Sequence, residues 1–307
     1  MLPEPPAEAR DALDPRAVQR AFARSAAGYD EVAVLQREVG TRMAERLDVV
    51  KLAPAAILDA GCGTGAALAD LGERYPSARR VALDLALPML AVARSRQGVR
   101  PSAFARLAAS WLGGGPPAPW FVAGDIAALP CARAAFDLIW SNLALQWVND
   151  LPRAFAELHR VLRVDGLLMF TTFGPDTLQE LRAAFRQVDA KPHVIRFCDM
   201  HDVGDMLVHA GFADPVMHME RITLTYAEPV AMMRELKALG ATNSTRSRPR
   251  GLLGRDRWAR LVSALEAMRA DGSIPATFEV VYGHAWKTAP KRTPDGHAIV
   301  QIQPRRS

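Results

Sequence analysis

Ile57-Leu58-Asp59-Ala60-Gly61-Cys62-Gly63-Thr64-Gly65 is the stretch whose reading decides the fold. A short apolar run ends in a carboxylate, and three glycines follow at alternate positions. Apolar residues closed by glycine read as a buried strand running into a tight turn. The segment from Ala66 to Tyr75 is rich in helix formers, so the turn is expected to open a helix. Glycines at such a turn let the backbone pass close to a ligand, with no Cβ in the way.

Two cofactor readings compete for this loop. A dinucleotide fingerprint runs G-x-G-x-x-G, whereas the spacing from Gly61 is G-x-G-x-G. A P-loop would need Gly-Lys-Ser/Thr, which is absent. Asp59 discriminates further. A carboxylate at the strand end repels a pyrophosphate and attracts a cationic amino group. S-adenosylmethionine carries such a group, and its own carboxylate can use the free N–H groups of a helix start. A glycine-rich turn with no ligand is the plain alternative.

The following strands repeat the pattern. Val81-Ala82-Leu83-Asp84 ends in an acid followed by Leu85, and Trp120-Phe121-Val122-Ala123-Gly124-Asp125 ends in another, followed by Ile126. Asp84 is placed to accept ribose hydroxyls, which either cofactor family could use. Asp125 is placed to meet an adenine amino group, and Ile126 to cover the ring. Packing alone does not account for three strands ending in Asp, because buried unpaired acids are costly. The cofactor candidates are therefore Asp59, Gly61, Cys62, Gly63, Gly65, Asp84, Leu85, Asp125 and Ile126. Asn142 joins them at the end of the fourth strand, Phe136-Asp137-Leu138-Ile139-Trp140-Ser141-Asn142.

At 307 residues, half of them apolar and 23% charged, the chain has ample material for a core. No apolar run reaches the roughly 20 residues of a membrane helix, and the first residues show no basic and apolar leader pattern. Cys62, Cys131 and Cys198 are few, odd in number and scattered, as expected of a reducing cytosol and of neither a disulfide framework nor a metal site. A cytoplasmic chain is the expectation. Net charge is +5, with Arg246, Arg248, Arg250, Arg255, Arg257 and Arg260 facing only Asp256 in one run. Such a run suits an acidic partner. Trp258 is the one aromatic among them, too little for a base-stacking platform, so nucleic acid is not expected.

Residues 1–15 are Pro-rich and polar and read as disordered. From Pro15 to about Leu52 apolar residues recur at helical spacing, and Ser25-Ala26-Ala27-Gly28-Tyr29-Asp30 within them suggests a lid over the site. Strands are expected near 56–60, 79–84, 119–125, 136–142 and 167–173, with helices near 66–75, 88–98, 152–162 and 176–188. This alternation argues for a parallel sheet covered on both faces. The run from Gly113 to Pro119 reads as a loop. Leu162 to Leu168 reads as a helix stop, a turn and a strand start. Beyond 190, a helix over 201–210 precedes two β-like stretches, 215–226 and 276–287. These bracket helices at about 230–239 and 256–270, and a polar tail follows from 289.

Several segments are more particular. Ser141-Asn142-Leu143-Ala144-Leu145-Gln146-Trp147 and Thr172-Phe173-Gly174-Pro175-Asp176-Thr177-Leu178-Gln179-Glu180-Leu181-Arg182 resemble the malonyl-acyl-carrier-protein O-methyltransferases of biotin synthesis. Ala26 to Asp30, Leu35 to Val39, Met200 to Asp205, Ala210 to Phe212 and Lys237 to Ala241 match that family too, so the resemblance spans roughly 16–287. It implies an α/β, Rossmann-like class I methyltransferase domain over 16–288. Its seven-stranded, mostly parallel sheet would have an antiparallel last strand lying between the fifth and sixth. Residues 16–52 would form a helical lid and 227–275 a helical cap inserted in the last hairpin.

The resemblance further implies methyl transfer from S-adenosylmethionine to the carboxylate of malonyl-acyl carrier protein, or of malonyl-CoA. That carboxylate is already ionised at neutral pH, so no catalytic acid or base is expected. Tyr29, Phe173 and Arg196 are the acyl-site candidates, and Arg246, Arg248 and Arg250 are expected to dock the acidic carrier. His193, His201 and His209 read as structural. A respiratory-complex assembly factor, some of whose kind hydroxylate arginine, shares similar segments and is the alternative. It would act through protein binding.

Overall fold

The structure, a computed structural model, describes residues 12–97, 117–248, 251 and 253–289. It is built on a seven-stranded sheet whose spatial order is β3-β2-β1-β4-β5-β7-β6. The strands are β1 (Ala56–Ala60), β2 (Arg79–Asp84), β3 (Trp120–Ala123), β4 (Phe136–Ser141), β5 (Leu162–Phe173), β6 (Ala213–Tyr226) and β7 (Ile274–Trp286). β1 runs parallel to both β2 and β4, and every residue of it is buried, as a strand covered on both faces requires. β7 lies antiparallel between β5 and β6, as the family resemblance implies.

Ten α-helices are described: α1 (Pro15–Ser25), α2 (Tyr29–Val32), α3 (Val34–Glu45), α4 (Ala67–Arg74), α5 (Leu87–Arg96), α6 (Leu151–Val161), α7 (Gln179–Arg186), α8 (Met200–His209), α9 (Pro229–Ala238) and α10 (Arg255–Glu266). The start of α6 follows from its sequence. The Asp150 side chain accepts from the Arg153 N–H, and Pro152 occupies the first turn, where no donor is lost. Its inner face then buries Leu151, Ala154, Phe155, Leu158 and Val161 against the sheet.

The structure departs from the sequence reading in three places. Residues 12–15 do not behave as a disordered stretch. Leu13 is buried and exchanges backbone bonds with the Asn149 amide at 2.7 and 3.0 Å, while Asp14 donates its N–H to the Ser244 carbonyl and caps α1. The expectation for 1–11 lies outside the described residues, as do the tail from 290 and most of the Gly113–Pro119 loop.

Secondly, β5 begins at Leu162 and not at 167. Asp165 takes a left-handed φ of 62° and the register against β4 shifts between Phe136 and Leu138, so the expected turn is absorbed as an irregularity inside the strand. Thirdly, α7 starts at Gln179 and not at 176. The buried Glu279 carboxylate accepts from the Asp176 N–H at 2.7 Å, and Thr177 exchanges hydrogen bonds with the Glu279 backbone at 3.1 Å. The Gly174–Leu178 turn is thereby tied to β7 before the helix can begin.

Glu279→Ala leaves the half-buried Asp176 N–H without its acceptor, so it should cost about 1 kcal/mol of unfolding free energy. Urea denaturation of the variant beside the parent chain measures this, with the m-value unchanged.

Candidate functional site

The glycine loop after β1 is tied to the tip of β2. The Leu83 carbonyl accepts from both the Gly61 and the Cys62 N–H, at 2.8 and 2.9 Å. Asp84 accepts from the Gly63 N–H at 2.9 Å on one oxygen and from the Ala86 N–H at 2.8 Å on the other. This geometry needs glycine at two positions. Gly61 has a φ of 80°, and a Cβ there would come within 2.3 Å of the Ala144 Cβ. Gly63 has a φ of 53°, with open space where its side chain would lie.

A cavity of about 270 Å³ opens over this loop, at the carboxyl edge of the parallel strands. Gly61, Gly63, Asp84, Leu85, Asp125, Ile126 and Asn142 line it, as does Tyr29 from α2. Asp59, Cys62 and Gly65 do not. Cys62 is buried against Leu68, Ala82 and Leu90, and Gly65 packs on Ala93, so both serve the shape of the loop. Asp59 is fully enclosed, and among the described residues its Oδ2 has no hydrogen-bond donor. Burial, reinforced by the charge of Asp84, pushes its carboxyl up to about 8. An orphaned buried carboxylate oxygen beside a cavity is suited to a cationic ligand.

The acids at the other two strand tips differ. Asp84 is raised by burial but steadied by backbone N–H bonds from Ala86, Gly63 and Leu85. Asp125 accepts from the Ala127 N–H at 2.9 Å in a more open position. Asn142 is held at both ends of its amide: Nδ2 donates to the Gln36 carbonyl at 2.9 Å, and Oδ1 accepts from Thr171 at 2.7 Å. It thus joins the sheet edge to α3.

From the segment read as a lid, Tyr29 lines the cavity. Asp30 accepts from the Thr64 hydroxyl at 2.7 Å and pairs with Arg96, which fastens α2 to the glycine loop and to α5. Behind it Tyr29 packs with Ala26, Ala86 and Met89. Phe22 of α1 meets Trp147 edge-on, with ring centroids 5.1 Å apart. Both rings line the cavity, and neither was singled out from sequence. Phe22 registers there only as part of a helical period, and its contact with Trp147 leaves no local signal.

Trp147 also lines a second, narrower space of about 70 Å³, floored by Phe173, Phe197 and Phe278. Phe173 is therefore in the apolar cleft next to the cofactor cavity. Arg196 is in neither. It is exposed and lines a third pocket with Arg182, Arg186 and Lys191. Arg248 is drawn into the fold, donating to the Thr245 carbonyl at 2.8 Å and to Asp14 at 3.4 Å. Arg246 is exposed, and Arg250 lies outside the described residues. None of the three singled-out histidines lines the cofactor cavity. His193 stacks flat on Phe185 and pairs with Asp189, His201 pairs with Asp199, and His209 bonds the Asp205 carbonyl.

Comparison with known proteins places this geometry. A family model described as a methyltransferase domain matches residues 58–170. A malonyl-[acyl-carrier protein] O-methyltransferase from Gallionella capsiferriformans is 53% identical over 289 residues, covering 94% of this chain and 96% of its own. The chain belongs to this family. A second member, from Laribacter hongkongensis, is 52% identical over 95% of this chain and 96% of its own. Among solved structures, the YcgJ protein of Bacillus subtilis superimposes with a TM-score of 0.56 at 17% identity, covering 82% of this chain and 99% of its own. At that identity the match speaks for the methyltransferase fold alone. No described helix is long and apolar enough to cross a membrane.

Asp59 in the folded protein keeps its proton up to about pH 8, whereas an unfolded aspartate releases it near 3.8. The native state therefore binds the extra proton in this window, and stability falls as pH rises through it. Asp59→Asn removes the titration. It should raise the Tm of the ligand-free protein most at pH 8 and least near pH 4. Calorimetric titration should show the same variant binding S-adenosylmethionine about 10- to 100-fold more weakly.

Proposed function

We propose that this chain transfers the methyl group of S-adenosylmethionine to the free carboxylate of a malonyl thioester on acyl carrier protein. The observation that carries the reading is the 53% identity, across 94% of the chain, to a protein named for that reaction. The geometry supports it, because a cavity over the glycine loop meets an apolar cleft at Trp147.

The residues present fit the cofactor. Asp59, with an unpartnered oxygen, suits its ammonium group, and Gly63 leaves open space beside the loop. In this reading Asp84 and Leu85 hold the ribose and Asp125 and Ile126 the adenine, a role supported by all four lining the cavity. When bound, the cofactor supplies an electrophilic methyl on a sulfonium. Everything else falls to the protein. A carboxylate with a pKa of about 4 needs no deprotonation at neutral pH, so no side chain is assigned as acid or base.

The protein's part is to align the acceptor oxygen and keep water out. Phe22 and Trp147 close the wall between lid and sheet. Tyr29 stays protonated well beyond neutral pH, held there by burial and by the charge of Asp84, so its hydroxyl can donate to the malonyl carboxylate without competing for the methyl. Phe173 floors the cleft for the acyl chain. In this reading residues 16–288 are one methyltransferase domain, with 16–52 its lid and 227–275 its cap. The chain works in the cytoplasm, and malonyl-CoA is the other acceptor. Esterification removes a negative charge, which lets the acyl chain enter apolar elongation pockets and so prime biotin synthesis.

Purified protein incubated with labelled S-adenosylmethionine should place base-labile label on malonyl-acyl carrier protein and little on the succinyl control. Absence of label, with the cofactor still bound in titration, would overturn the reading. Trp147→Ala, which loosens the shared wall, should lower kcat on the order of 100-fold.

A further inference from the structure

The apolar cleft continues away from the cofactor. Its walls include His193, Val194 and Ile195, and those same residues wall the pocket of about 290 Å³ that Arg182, Arg186, Lys191 and Arg196 line. Trp147 joins the cleft's other end to the cofactor cavity. The cationic pocket, the apolar cleft and the cavity over the glycine loop thus lie in series, each sharing wall residues with the next.

The mouth of this series, the cationic pocket, has an unbalanced charge. Among its described lining residues the one acid, Asp189, is already engaged: it meets His193 Nε2 at 2.8 Å, accepts from the Lys191 N–H at 2.9 Å, and faces Arg257 at 3.9 Å. Arg182 turns inward to the Pro175 and Thr177 carbonyls, at 2.8 and 3.1 Å. Burial and the neighbouring charges of Arg186 and Arg196 hold its guanidinium below the usual range, so these cations share one field. Arg186, Lys191 and Arg196 are exposed around it. Converging cations with their nearest acid engaged favour a polyanionic group such as a phosphate.

We propose that this mouth seats the phosphodiester of the pantetheine arm that carries the malonyl group. The arm threads past Val194 and Ile195 over Phe173, which sets the thioester end beside Trp147. The occupant is the arm of the carrier protein, a slender chain with an anionic phosphodiester at its root and two amides and one gem-dimethyl carbon along its length, matched to the mouth by charge. The assignment rests on the malonyl-transfer reading above. A second opening, between α1 and α9, is lined by Arg24, Arg234 and Lys237 but also by Glu31. It shares only Thr242 with the cleft, against three residues at the proposed mouth.

The test uses two acceptors that differ only in the phosphate: malonyl-4′-phosphopantetheine and malonyl-pantetheine. For the full chain carrying Arg186→Glu and Lys191→Glu, KM for the phosphorylated acceptor should rise about tenfold or more, and that for malonyl-pantetheine less than about twofold. The milder pair Arg186→Gln and Lys191→Gln should show the same selectivity at smaller amplitude, which guards against a folding defect. Malonyl-carrier protein should lose as the phosphorylated acceptor does. Equal losses on both small acceptors overturn the site. Selective loss from Arg24→Glu with Lys237→Glu instead also overturns it, moving the phosphate to the other opening. If the unsubstituted protein methylates neither acceptor, the transfer reading itself falls and the site with it.

Discussion

The Asp84 carboxylate accepts one N–H from the glycine loop, at Gly63, and one from the approach to α5, at Ala86. The Leu83 carbonyl beside it takes two more, from Gly61 and Cys62. These bonds hold an otherwise strained loop, with three left-handed glycines, against the tip of β2. Their effect reaches further than the loop. The same carboxylate adds its charge to the buried Asp59 and, with burial, raises the Tyr29 hydroxyl, so one residue both shapes backbone and tunes two neighbouring groups. A carboxylate fed by backbone N–H groups can stay ionised where burial alone would neutralise it.

Three strands end in the same residue type, yet their environments divide the labour. Asp59 is enclosed and short of a donor, which suits a cation that replaces its proton. Asp84 is satisfied by backbone and keeps lone pairs for hydroxyls. Asp125 is the most open, placed for exchangeable contacts at the far end of the cavity. Identity of side chain therefore says little about role until burial and hydrogen-bond donors are known.

Asp30, Thr64 and Arg96 pin α2 to the glycine loop and to α5, while Glu279 of β7 and Thr177 hold the turn beside the apolar cleft. Arg248 and Asp14 tie the start of α1 to the segment after α9 through an ion pair and backbone bonds. An arginine that looks from its sequence like part of a cationic docking run is thereby spent on assembly. Arg246, Arg255, Arg257 and Arg260 of that run stay exposed, as do Arg186 and Lys191 at the cationic pocket.

Element type and order were legible in the chain. Strands β1, β2 and β4, and helices α4 to α6, fall within one or two residues of their expected bounds, because buried parallel strands and amphipathic helices impose their periods directly on neighbouring residues. The acids at the strand tips were legible for the same local reason. Three things were not: the ordering of residues 12–15, the delay of α7 to Gln179, and the sharing of Trp147 between two spaces. Each rests on partners far apart in sequence, such as Leu13 with Asn149, Asp176 with Glu279, and Phe22 with Trp147. By itself the sequence determined which segments fold as strand or helix and which residues end them at the ligand edge. Only the tertiary structure decided which side chains remain for a ligand, because a polar group's availability depends on whether a distant segment has already satisfied it.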